Sequence, residues 1–208
     1  MLRRIRQGLA ADRVTTRIAW LALVFAAVFF GTTILSYYAL PEGFLLRKNG
    51  LTDFRTSESL PVCTAQIFLF NMVSVVMIAA GSLFARRRAG EDVAFSYGML
   101  GFFVFVALNG VTLGTWSFTA NAQSVPLAQR LLRTFDILHN AGLLEMLGQL
   151  CITAALATKY VMLTEGRETT VRTWRELRFT RCERIAVLCG LLLMLAGAFV
   201  ESRAIIGH

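Results

Sequence analysis

Five apolar runs, separated by polar connections rich in arginine, organise this chain at about residues 18–40, 63–85, 94–118, 136–163 and 185–206. Each is long enough for an α-helix to cross a hydrocarbon core about 30 Å thick. Pro41 and Gly43 stop the first run, and Asn49-Gly50 marks a turn in the loop after it. Arg86-Arg87-Arg88 closes the second run. The connection over 119–133 contains Pro126 and ends in Gln129-Arg130-Leu131-Leu132-Arg133, which reads as a short amphipathic helix in the interface. The fourth run is long and polar at its front, so a tilted helix and a broken, partly re-entrant one both fit. Residues 164–184 alternate six arginines with Glu165, Glu168, Glu176 and Glu183. Mixed signs of this kind predict an ordered helical stretch. The expected fold is all-α: a single transmembrane domain over 1–208, a polytopic bundle of five spans.

Composition strengthens the membrane reading. Hydrophobic residues make up 56% of the 208, mean hydropathy is +0.60, and only 16% are charged. Soluble domains sit nearer a quarter charged. Trp20 and Tyr37-Tyr38 lie near the ends of the first run, where amphipathic rings favour the interface. That run lacks a small-residue cleavage pattern and is expected to be a retained anchor. The net charge of +8 does not imply nucleic acid, because the arginines flank apolar runs. Arginine counting sets the orientation. With the N-terminus inside, 15 of the 21 basic residues fall on the cytoplasmic side, giving N-in and C-out in a bacterial or archaeal cell membrane.

Cys63, Cys151 and Cys189 fall in apolar runs and Cys182 in a basic loop, without a CxxC pair. They read as small buried hydrophobes rather than disulfide or metal ligands. Neither GxxxxGK[ST] nor HExxH occurs, so no cofactor or metal is expected.

The candidate chemistry is the set of polar groups inside the runs, since an ionisable residue in a membrane helix is expensive unless partnered. Asp136, His139 and Asn140 are three and four apart and share a face if helical. Asp136 could then set the tautomer of His139, and with Glu145 they are the acid/base candidates. Asn71, Asn109 and Glu145 lie at similar depth, roughly 12–15 Å from one surface. With Asn140, Gln149 and Glu201 they form an expected polar cluster in the outer half of the bilayer. Asn71 and Asn109 also suit helix–helix glue, and Glu201 suits a pair with Arg203. Gly110 and Gly114 give a flat patch for close helix approach.

These residues carry a family resemblance. Asn71 with Gly81 ten residues on, the Asn109-Gly110-Val111-Thr112-Leu113-Gly114 helix, Asn140-Ala141-Gly142-Leu143-Leu144-Glu145 and the late Glu201 recur in order over about residues 63–203. In this pattern the chain resembles the stage II sporulation protein M family of integral membrane proteins. It departs from that family at Asn140 and Ala141, where relatives carry Pro and His, while His139 stands two positions upstream of Ala141. The resemblance implies helix packing at Gly81, Gly110, Gly114 and Gly142, and a role as scaffold or permease-like partner in a membrane complex.

The first functional expectation is therefore a non-catalytic membrane subunit, partnering a transporter or peptide-maturation machinery. A cofactor-independent enzyme epimerising or dehydrating a peptide, and a peptide or solute transport or immunity protein, are the alternatives. Expected partners are the lipid bilayer, a membrane or peripheral protein and a peptide substrate.

Overall fold

The computed structural model describes residues 2–45, 57–87, 93–117, 125–134, 141–165 and 167–206. An N-terminal helix α1 (Leu2–Leu9) precedes α2 (Val14–Ala39) and α3 (Leu60–Ser82); α4 (Tyr97–Gly114), the short α5 (Leu127–Arg133), α6 (Ala141–Leu156) and α7 (Arg181–Ile206) follow. Of these, α2, α3, α4 and α7 are long and apolar enough to cross a membrane. Their outward faces carry Leu69, Val73, Val76, Leu100, Val104, Leu188 and Leu192, all exposed. So continuous an apolar exterior belongs in lipid rather than water. The chain is a multi-pass membrane protein.

Side-chain size decides how the helices meet. Along α2 the buried positions are Val14, Arg17, Leu21, Phe25, Phe29, Thr33 and Ser36, one seam at three- and four-residue spacing. Gly110 and Gly114 of α4 lie flat against it: a Cβ on either would come within 2.1 Å of Thr32 Oγ1 or 2.0 Å of Ser36 Oγ. The pairing of Gly110 with Thr32 and Gly114 with Ser36 makes α2 and α4 parallel. Gly81 and Gly98 let α3 meet the start of α4 in the same way, and Gly148 faces Gly190 between α6 and α7. Phe25, Phe29 and Phe102 stack in the core between α2 and α4. Across all these contacts α2, α4 and α7 run one way, α3 and α6 the other.

Space at these seams is directly testable. A Cβ at Gly190 would lie 2.6 Å from the Gly148 carbonyl oxygen and 2.7 Å from Ile152 Cγ1, whereas nothing lies within 4 Å of one at Gly31. Gly190→Ala is expected to destabilise the bundle by about 1–3 kcal/mol through overpacking. Gly31→Ala should be neutral or slightly stabilising, because Ala is the better helix former. Denaturant unfolding in mixed micelles reads both.

The bundle is not purely helical. β1 (Phe84–Arg86) follows α3, β2 (Phe95–Ser96) leads into α4, and β3 (Met162–Glu165) and β4 (Arg167–Thr170) come after α6. They form a four-stranded sheet in the order β2-β1-β3-β4, with β1 parallel to β3 and the other pairs antiparallel. Sheet and helix termini together define one end of the molecule.

Four expectations are corrected here. The fourth apolar run does not continue as helix to 163: α6 stops at Leu156, and Met162–Glu165 pairs with β1 instead. The short apolar end of the run, Val161-Met162-Leu163, cannot be assigned to helix or strand by pattern alone, and here the edge offered by β1 decides it. Of the mixed-charge stretch 164–184, only 181–184 is α-helical among the described residues, as the first turn of α7; the rest supplies β4 and a 3-10 turn at Trp174–Glu176, the turn closed by reciprocal Thr173 and Glu176 hydrogen bonds. The β-branched Thr169-Thr170-Val171 favours the strand. Arg86 lies in β1 rather than ending a helix. Among the cysteines, Cys63 is buried, but Cys189 is exposed on the outer face and Cys182 belongs to the first turn of α7 instead of a loop.

Candidate functional site

The polar groups inside the bundle gather at the end away from the sheet. Glu145 stands in the second turn of α6, where Gly197 of α7 makes room for it: a Cβ at 197 would lie 2.7 Å from Glu145 Cγ. Asn71 of α3 donates from Nδ2 to the Glu145 carboxylate. Glu201, near the end of α7, and Asn109, near the end of α4, reach the same space. The result is a chamber of about 340 Å³ lined by Phe29, Asn109, Gly142, Glu145, Met146 and Glu201, among others. No Lys, Arg or His contributes to its lining among the described residues.

From Glu145 a polar ladder descends between α3 and α6. Ser74 Oγ donates to the Asn71 carbonyl at 2.6 Å, Gln149 Nε2 donates to Ser74 Oγ at 2.8 Å, and Thr153 Oγ1 donates to the Gln149 carbonyl at 2.7 Å. Glu145, Gln149 and Thr153 are each four apart on α6, so the ladder covers about 12 Å of helix axis. Gln149 Oε1 is buried and accepts nothing among the described residues. A buried amide oxygen without a donor is unusual enough to require an explanation.

The structure thus brings five of the expected polar residues together. Glu145, Glu201 and Asn109 line the chamber, Asn71 bonds to Glu145, and Gln149 lies one turn deeper. Asn109 also returns Nδ2 to its own helix, at the Phe105 carbonyl, 2.9 Å away. Glu201 does not turn to Arg203: it faces the chamber, while Arg203 is exposed. Gly142 lines the chamber, and Gly81, Gly110 and Gly114 lie against neighbouring helices. Asp136, His139 and Asn140 lie outside the described residues.

Two charged clamps escaped sequence reading. At the sheet end Arg17 of α2 is buried and donates to Glu183 of α7 at 2.7 Å and to Thr158 Oγ1 at 2.9 Å; Lys159 adds a second pair to Glu183 at 2.9 Å. At the opposite end Arg130 of α5 is buried rather than interfacial. It donates to the Gly114 and Val125 carbonyls and to Glu42, between the rings of Tyr37 and Trp116. Trp116 is the one non-glycine residue with positive φ (53°) among those described. Arg17 and Arg130 look like ordinary flanking arginines in sequence; only their partners, distant along the chain, distinguish them.

Chemically, two carboxyl groups from facing helices share a small chamber with amide groups and, among the described residues, no fixed cation. Such a chamber can take up a cationic, hydrogen-bond-donating group and hold it by charge and geometry. Comparison with protein-family models, with curated proteins and with solved structures gave no match for this chain.

Proposed function

We propose that this chain is a non-catalytic, five-span membrane subunit whose chamber seats a cationic group, such as an ammonium, carried by a solute, a peptide or a partner protein. The observation that carries the reading is the placement of Glu145 and Glu201 on facing helices in one chamber that no basic side chain among the described residues lines. Removing two carboxylates from water is expensive, and a ligand cation offsets that cost as a protein cation would.

The topology supports the same reading. α6 runs opposite to α4 before it and α7 after it, so it serves as the fifth crossing, although its 16 residues rise only about 24 Å. The sheet end carries the N-terminal arginines and those of residues 167–184, which favours a cytoplasmic sheet end and a chamber in the outer half of the membrane. The four polar positions on which the resemblance to the stage II sporulation protein M family rests, Asn71, Asn109, Glu145 and Glu201, are also those that meet at the chamber. That convergence favours a role as a subunit within a membrane complex.

The test uses butylammonium as a probe of the site, titrated against the full chain in neutral detergent. Glu145→Gln with Glu201→Gln keeps shape and hydrogen bonding but removes both charges. This double variant should lose affinity for the probe by at least tenfold while retaining its fold. Unchanged affinity would remove the chamber as a cation site.

A further inference from the structure

The chamber and the two clamps leave one surface without a role: residues 171–184, between the sheet and the body of α7. Val171, Trp174 and Phe179 are exposed there, Trp174 at 67%. Arg175, Arg178, Arg181 and Arg184 are exposed among them. The acidic residues of the same stretch are already engaged. Glu176 accepts from the Thr173 backbone N–H at 2.9 Å, and Glu183 is buried against Arg17 and Lys159. The outward charge of this stretch is therefore positive, and its aromatic side chains stand among the arginines rather than in the core.

The register of α7 shows where that charge sits. Its lipid-facing stripe is Ile185, Leu188, Leu192, Leu195 and Phe199, at three- and four-residue spacing, each exposed by 43–59%. Arg181 and Arg184 precede Ile185 and Leu188 by one turn and so head the same stripe. Side chains on a helix lean toward its N-terminus, so both guanidinium groups point away from the apolar stripe, toward the level where the helix leaves the hydrocarbon. Exposed Trp and Phe at that level match the preference of aromatic rings for the headgroup region.

We infer that this surface binds the headgroup of an anionic phospholipid, with the phosphate among Arg178, Arg181 and Arg184 and an acyl chain along Ile185, Leu188 and Leu192. Cationic side chains immediately beside a spanning helix attract anionic lipid, each contributing about fivefold in affinity. An intact lipid is favoured over a free anion because the arginines head an exposed apolar stripe rather than a closed polar pocket. The inference is independent of the chamber.

The test is native mass spectrometry of the full chain, in neutral detergent, offered equal amounts of phosphatidylglycerol and phosphatidylcholine with the same acyl chains. The wild type should retain phosphatidylglycerol over phosphatidylcholine by at least tenfold. Each of Arg178→Gln, Arg181→Gln and Arg184→Gln should lower that preference about fivefold. Arg3→Gln with Arg4→Gln and Arg13→Gln, at the same end of the molecule, should leave it nearly intact. Equal retention of the two lipids by the wild type would overturn the inference, with no variant needed. So would an equal loss in the Arg3, Arg4 and Arg13 variant, which would mean diffuse attraction. Full competition by millimolar inorganic phosphate would overturn it too, since the site would then take a free anion.

Discussion

Glu183→Ala is expected to destabilise the protein by about 3–5 kcal/mol, the range for breaking a buried ion pair from one side. Arg17 is 1% exposed, and its only carboxylate partner among the described residues is Glu183, which also holds Lys159. Removing the carboxylate leaves two cations facing each other where α2, α7 and the exit of α6 converge. Thr158 Oγ1 can accept one hydrogen bond from Arg17, but it supplies no charge. Glu183→Gln should be nearly as damaging, since it preserves shape but not charge. Arg17→Met added to Glu183→Ala should recover a good part of the loss, because the strongest uncompensated charge goes with it. Reversible unfolding in mixed micelles gives all three values. A loss below about 1 kcal/mol for Glu183→Ala would mean that water reaches the network.

Arg130→Ala is expected to cost about 3 kcal/mol, by a different route. The guanidinium joins three segments: it donates to the Gly114 carbonyl at the end of α4 and the Val125 carbonyl before α5, and it pairs with Glu42 after α2. Truncation leaves those backbone oxygens without their donor, and each buried unsatisfied group costs about 1–3 kcal/mol. The stacking on Tyr37 and Trp116, at 4.8 and 5.1 Å from the ring centroids, is lost as well. Trp116 is held at φ 53°, a conformation that costs a non-glycine residue about 1–3 kcal/mol and persists only where its surroundings enforce it. Arg130→Lys should recover little, because an ammonium holds its donors on one nitrogen and cannot span the acceptors that Arg130 meets from Nε, Nη1 and Nη2, nor stack flat. Hydrogen exchange localised to α5 and the end of α4 separates this local opening from the global loss expected at Glu183.

These residues show where sequence reading succeeds and where it stops. The long apolar runs gave α2, α3, α4 and α7 to within a few residues, because hydrophobic length in a membrane helix is a local property. The Gly110 and Gly114 seam was legible for the same reason: small residues one turn apart leave few other uses inside a span. Depth counting brought Asn71, Asn109 and Glu145 to one level, and the chamber and its hydrogen bond join them there with Glu201. The sheet was not legible. β1, β2 and β3 are two to four residues long and exist because three helix ends are brought together, a consequence of tertiary packing. The arginine clamps failed for a related reason. Arg17 and Glu183 are 166 positions apart, and nothing near either one marks it as buried. For Glu201 the sequence left two readings open, the polar cluster and a pair with Arg203, because sequence neighbours are visible and chamber partners are not.

The most direct measurement is the affinity of the unmodified protein, in neutral detergent, for butylammonium against butanol. The two probes share their apolar body and differ in charge. If the chamber of Glu145 and Glu201 seats a cation, butylammonium should bind at least tenfold more tightly, and the preference should vanish in the Glu145→Gln and Glu201→Gln double variant. Equal affinity for the two probes in the unmodified protein would contradict the account, leaving the carboxylates as part of the helix packing alone.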